Sequence, residues 1–126
     1  MWRERAARCG EAIAEQFCVL RGYRIVGRNE RAGRGELDLV AIDRETIVFV
    51  EVKFRAERDR GSALEAVTAK KRGDVARAAT RWLAERGATN RPVRFDVIGI
   101  TWGSNGTELR VQHVPHAYAG GGRHFF

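Results

Sequence analysis

Gly35-Glu36-Leu37-Asp38-Leu39-Val40 and Val48-Phe49-Val50-Glu51-Val52-Lys53 decide how this chain is read. Both runs are rich in Val, Leu and Phe and are bounded by turn-type residues, which predicts two β-strands. Successive side chains of a strand point to opposite faces. Ile47, Phe49, Glu51 and Lys53 therefore share one face of the second run, with Val48, Val50, Val52 and Phe54 on the other. In the first run Glu36 and Asp38 share a face, opposite Leu37 and Leu39. Acids thus interrupt segments that are otherwise apolar enough to be buried. A buried carboxylate without a partner is costly, so acids in such places pair with a cation or hold one. Only Asp43-Arg44-Glu45 separates the two strands, which makes them antiparallel neighbours and sets Asp38 facing Glu51.

Upstream, residues 3 to about 21 carry Ala6, Gly10, Ile13, Ala14, Phe17 and Leu20, with Ala7 and Cys18 beside them, at helical spacing. Gly22 fits the C-cap. Glu11 borders this stripe, and its small neighbour Gly10 permits close approach to a sheet. Glu15, one turn on, reads as a solvated helix acid. Tyr23 to Asn29 predicts a first strand, followed by a basic turn from Asn29 to Arg34.

Downstream, Arg55 to Gly61 reads as a charged loop containing Arg58, Arg60, Glu57 and Asp59. Ser62-Ala63-Leu64-Glu65 has the form of a capping box, so a second helix is expected from there to about Arg86. Its apolar stripe would be Leu64, Val67, Val75, Ala78, Ala79, Trp82 and Leu83. Lys71 stands in line with Val67 and Val75, where an apolar residue is expected. It either snorkels to the edge or points toward something anionic. Gly73 inside this helix costs roughly 1 kcal/mol relative to alanine, and close packing would explain it. Pro92 opens a fourth strand, Val93 to Ile100. A turn at Trp102-Gly103-Ser104-Asn105-Gly106 leads to an edge strand from Glu108 to Val114. The order α-β-β-β-α-β-β predicts one α/β domain over residues 1–114, with a mixed central β-sheet flanked by helices. Residues 115–126, including Gly120-Gly121-Gly122, Phe125 and Phe126, read as a loose C-terminal tail.

The chain has 126 residues, enough for one domain with a real core. Its formal net charge of +7 favours a polyanionic partner, most simply nucleic acid, through counterion release. No apolar run approaches the length of a membrane helix, and no signal-peptide core follows the N-terminus, so a cytoplasmic protein is expected. Cys9 and Cys18, on opposite faces of one helix and about 13 Å apart along its axis, cannot pair. No zinc-type Cys/His spacing is present; His113, His116 and His124 all fall late.

The chemistry open to these residues is that of a hard divalent cation and a phosphate. Magnesium takes one or two carboxylates together with substrate and water oxygens. Asp38 and Glu51 would supply the carboxylates, the Val52 carbonyl a further oxygen, and Glu11 an outer or additional ligand. Lys53 would orient the attacking water or stabilise charge developing on phosphorus. Arg28, Arg31, Arg34, Arg55 and Lys71 are the candidate phosphate contacts. The plainer alternative is a semi-buried Glu51-Lys53 ion pair at a sheet end.

Several short motifs occur together in order. They are Gly10-Glu11 with Ala14, Gly22-Tyr23, Arg28-Asn29 with Arg31, Gly35 to Leu39, Phe49 to Lys53 with Arg55, Val67 with Lys71, and Arg94 to Val97. This pattern, over roughly residues 9–100, resembles the bacterial YraN-like family within the PD-(D/E)xK nuclease superfamily. It is also similar to archaeal Holliday-junction resolvases in placing an acid on the first helix. The resemblance implies a restriction-endonuclease-like fold and an active site of Glu11, Asp38, Glu51 and Lys53. It further implies Mg2+ or Mn2+ as cofactor and DNA, branched or in repair and recombination intermediates, as substrate. Leu37 stands where the superfamily's namesake proline would be, and Arg72 where similar sequences often carry glutamine. The expected function is a metal-dependent nuclease. The alternative is a non-catalytic nucleic-acid-binding module or a subunit of a DNA-processing assembly. A homodimer or a DNA-processing protein partner would extend so small a substrate surface.

Overall fold

The computed structural model describes residues 2–56, 61–103 and 108–119, without the side chains of residues 2–4, 6 and 7. The expectations for Ala6 and Ala7, for Arg58, Arg60, Glu57 and Asp59, for the turn at Ser104-Asn105-Gly106, and for Gly120-Gly121-Gly122, Phe125 and Phe126 lie outside these.

The elements are α1 (Trp2–Leu20), β1 (Arg24–Ala32), β2 (Gly35–Asp43), β3 (Thr46–Ala56), α2 (Ala69–Glu85), β4 (Val93–Trp102) and β5 (Leu109–Val114). They build one five-stranded mixed sheet in the order β1-β2-β3-β4-β5. Neighbours are antiparallel except β3 and β4, which run parallel. A parallel pair needs a crossover, and α2 is that crossover. One face of the sheet packs on α2: Val40, Phe49 and Phe95 meet Val75, Ala79, Trp82 and Leu83. The other packs on α1, where Leu39, Ala41, Val48, Val50, Ile98 and Ile100 cover Ala14 and Cys18. The strands with both faces covered are correspondingly rich in apolar residues, interrupted by Asp38, Glu51 and Asp96.

Four expectations need correction. Leu20 is 86% exposed while Cys18 is fully buried. The buried α1 line is Gly10, Ala14, Cys18, a strict four-residue spacing that rotates Leu20 outward. Strand β1 does not end at Asn29 but continues to Ala32, pairing Arg31 with Glu36. The basic stretch is therefore a hairpin arm, with only Gly33 and Arg34 in the turn. The second helix begins at Ala69, not Ser62. The Ser62 and Glu65 side chains do exchange the capping-box hydrogen bonds, but with a single turn. Thr68 then caps α2, its hydroxyl accepting from the Lys71 N–H at 3.1 Å. Leu64 and Val67 consequently belong to the turn before the helix. Finally, Leu37 does not share a face with Leu39: it joins the α2-side core while Leu39 packs on the α1 side.

Beneath α1, Asp96 is fully buried and tied to Arg94 Nε at 2.8 Å, His113 Nε2 at 2.7 Å and the His116 N–H at 3.1 Å. These bonds hold β5 and the segment after it against β4.

Close packing does not account for Gly73. A Cβ there would meet only the Arg77 guanidinium, at 3.4 Å, and its backbone is not left-handed. Gly73→Ala should therefore stabilise the fold by about 0.5–1 kcal/mol through helix propensity and lost unfolded-state freedom. Urea denaturation would read this as a higher midpoint at unchanged slope; a lower midpoint would contradict it.

Candidate metal and phosphate site

The register of β2 on β3 pairs Leu39 with Val50 and runs to Asp43 with Thr46. The ladder ends before Asp38. There Asp38 Oδ2 accepts the Val52 N–H at 2.9 Å, a side chain standing in for a strand bond. This departure also explains the turn of Leu37 to the other face. Asp38 and Glu51 come together as the strand alternation predicts, and each carboxyl acts on the other's proton affinity. Glu51 is only 5% exposed.

Burial raises the Asp38 carboxyl above its ordinary range; the Val52 N–H and the Lys71 charge pull the other way. Burial, and then the Asp38 charge, push Glu51 up to about 7, against the pull of Lys71 and Lys53. Lys71 Nζ lies 3.7 Å from Glu51 Oε1. Lys71 thus turns toward an anion, which resolves the two readings of its place in the helix. Lys53 follows Glu51 on the same face, within electrostatic range of it.

Glu11 reaches the same sheet end from α1. Gly10 lets the helix in: a Cβ at that position would stand 2.6 Å from the Phe54 ring. Burial and the Asp38 charge raise the Glu11 carboxyl, and a hydrogen bond with the Asn29 side chain lowers it. Glu11 therefore senses the pair from its rim. Among the described residues no three His, Cys, Asp or Glu side chains form a ready metal cage. The donors that fit a magnesium-type ion are the two carboxylates, which leave room for substrate and water oxygens. The Val52 N–H serves Asp38.

The candidate phosphate contacts separate into two groups. Arg28 is held by Glu15, with Nη2 to Oε2 at 2.9 Å, so Glu15 is an ion-pair partner and not merely a solvated acid. Arg55 donates to the backbone carbonyls of Gly61 and of Ser62, the latter at 3.0 Å, and fastens that loop. Arg31, Arg34 and Lys71 instead line one open groove of about 890 Å3 between the β1–β2 hairpin and α2. Lys70, Arg77 and Arg81 line it too, against Glu36 and Asp74. Gly35 lets the hairpin sit against α2, since a Cβ there would be 2.9 Å from the Ala78 Cβ. Lys70, Arg77 and Arg81 were not singled out from sequence. Their signal is a spacing of seven and then four residues along α2, a helical repeat that ordinarily marks a solvated helix surface.

Fold and site together define an α/β protein with a buried carboxylate pair at one sheet end, joined through Lys71 to a basic groove. Residues 10–100 match the uncharacterised protein family UPF0102. The chain is 43% identical over 121 residues to a UPF0102 protein of Anaeromyxobacter dehalogenans, covering 96% of this chain and 89% of the relative. It is 41% identical to one of Chlorobium phaeobacteroides, over 88% and 91% of the two chains. With one of Symbiobacterium thermophilum it shares 43% identity over 90% and 96%. The chain belongs to the UPF0102, or YraN-like, family. No helix among the described residues is long and apolar enough to cross a membrane.

The raised Glu51 carboxyl carries a stability consequence. Glu51 moves from 4.5 to about 7 on folding. Between those values the unfolded chain has released the proton that the folded chain keeps, so stability falls as pH rises. The loss levels off near 3 kcal/mol, about the worth of such a shift, once pH exceeds the folded value. Without divalent metal, Glu51→Gln should be more stable than the parent at about pH 8 and equal to it at about pH 4. Urea denaturation across this range measures the difference; a gap that does not change with pH would contradict it.

Proposed function

We propose that this protein is a metal-dependent nuclease of the PD-(D/E)xK type, with the restriction-endonuclease-like fold, acting on DNA in the cytoplasm. The observation that carries the reading is the contact of Asp38 with Glu51, buried at a sheet end beside Lys53 and linked by Lys71 to a basic groove. Asp38 and Glu51 would hold Mg2+ or Mn2+, and Glu11 would tune them from the rim. Such an ion supplies a water of lowered pKa and a counter-charge for the phosphate under attack. Asp38 is oriented for this by the Val52 N–H, which fixes one of its oxygens. Lys53, on the Glu51 face, would hold the attacking water or the charge growing on the phosphoryl oxygens. Lys71 steadies Glu51 and also lines the groove. Six basic side chains against two acids there suit a phosphodiester backbone, whose contacts position a strand without reading its bases. Branched DNA and recombination intermediates are the substrates the family resemblance favours.

A second reading is a nucleic-acid-binding module without turnover, serving alone, as a homodimer or within a DNA-processing assembly. The Lys71 ammonium beside Glu51 favours it, because it already offsets one of the two charges that would hold a cation.

Cleavage separates the two. A panel of single-stranded, duplex, flapped and four-way DNA, with RNA, would be incubated with manganese or magnesium. We expect cleavage of at least one DNA form, and its loss with Asp38→Asn while the circular dichroism of the fold is kept. Cleavage retained by a folded Asp38→Asn protein would sink the site assignment. Binding without cleavage would establish the second reading.

A further inference from the structure

The segment after β5 brings a tyrosine to the site. The chain turns at His116, whose φ is +54°, and the Ala117 N–H donates to the Phe95 carbonyl at 2.7 Å. Together with the His116 N–H bond to Asp96, this pins the segment on β4. The Tyr118 ring stacks on Phe95, with centroids 5.3 Å apart and planes 21° from parallel.

Three neighbours place that ring beside Glu51. Phe95 pairs in register with Phe49, which precedes Glu51 by two residues on the same face. Tyr118 packs into the cluster of Ala63, Val67 and Val97, and Val97 is the register partner of Glu51. The Arg72 guanidinium lies over the ring, 5.4 Å from its centroid, while adjacent Lys71 meets Glu51. Arg72 is itself fixed by donating to the carbonyl of Val67, at 3.1 Å, and of Leu64, at 3.4 Å.

The phenolic oxygen of Tyr118 is buried and has no hydrogen-bond partner among the described residues. Native interiors rarely leave such a group unpaired, because its desolvation is then uncompensated. A tyrosine phenol keeps its proton at neutral pH, and burial, followed by the Glu51 charge, raises this one further. An oxygen held in that state is a donor, and a phosphate oxygen is a strong acceptor.

We propose that Tyr118 is a further catalytic residue, whose hydroxyl donates a hydrogen bond to an oxygen of the phosphate seated over Asp38 and Glu51. The proposal rests on the phosphodiester reading above. Arg72 and Phe95 are the positioning residues that fix the ring. The arrangement also assigns Arg72 a use, since its guanidinium holds both the 62–67 turn and the aromatic ring.

Tyr118→Phe tests this, because it keeps the ring stack and removes only the hydroxyl. With manganese, kcat should fall on the order of 100-fold, the scale of a lost donor to a transition-state oxyanion. The melting temperature should hold or rise, since an unpaired buried hydroxyl is gone. Affinity for a labelled duplex, measured in EDTA, should weaken by about tenfold. If the parent binds DNA but cleaves nothing, the nuclease reading fails, and the affinity comparison still decides for or against Tyr118. Equal affinity and equal cleavage in the two proteins would overturn the proposal. So would activity lost only in step with a fall in melting temperature, which marks a structural role. A parent protein that neither binds nor cleaves nucleic acid overturns the function and this inference together.

Discussion

Two carboxyls held against each other out of water are the constraint on which the rest of this structure turns. Asp38 and Glu51 meet at the end of the β2–β3 ladder, one position beyond the Leu39–Val50 pair, where the Val52 N–H is taken by the Asp38 side chain. Burial raises both groups, and the Asp38 charge raises Glu51 further. The fold answers with cations on the face of α2, and Lys71 is the nearest. Replacing this cluster with apolar residues would be no worse for stability by the general behaviour of buried charges. Strain of that kind is characteristic of a functional site, where charges are kept for what they bind.

Much of the site was legible because strand alternation is a rigid rule. Phe49, Glu51 and Lys53 had to share a face, and a short turn had to bring Asp38 opposite. Lys71 was visible as a polar residue in an apolar helical line, and Gly10 as a place for close approach. Leu37 was misplaced because alternation assumes an unbroken ladder, and β2 breaks its ladder at the site itself. The start of α2 was missed because the Ser62 box is real but caps one turn, and the true cap, Thr68, carries no partner acid three residues on. Tyr118 was illegible for another reason: only the folded chain returns residues after β5 to β3, and no local pattern announces it.

The basic residues show how little a charge count says by itself. Arg28, Arg31, Arg34 and Arg55 look alike in sequence, yet two of them are spent on Glu15 and on backbone carbonyls. The groove is lined instead by Arg77 and Arg81 of α2, which pair with Asp74 and Glu85 along the helix. Its floor is set by Gly35 and Ala78, small enough for the hairpin and helix to lie close. A polyanion surface of this kind comes from packing geometry, with net charge only the background.

The central claim is that the Asp38–Glu51 pair is built to take a divalent cation. Calorimetric titration with manganese near neutral pH, run in buffers of different ionisation enthalpy, tests it most directly. The account predicts uptake of a metal ion accompanied by proton release, because the raised Glu51 carboxyl must give up its proton to bind. It also predicts that Glu51→Gln abolishes both signals. Absence of manganese binding to the folded parent, or binding undiminished in the variant, would contradict it.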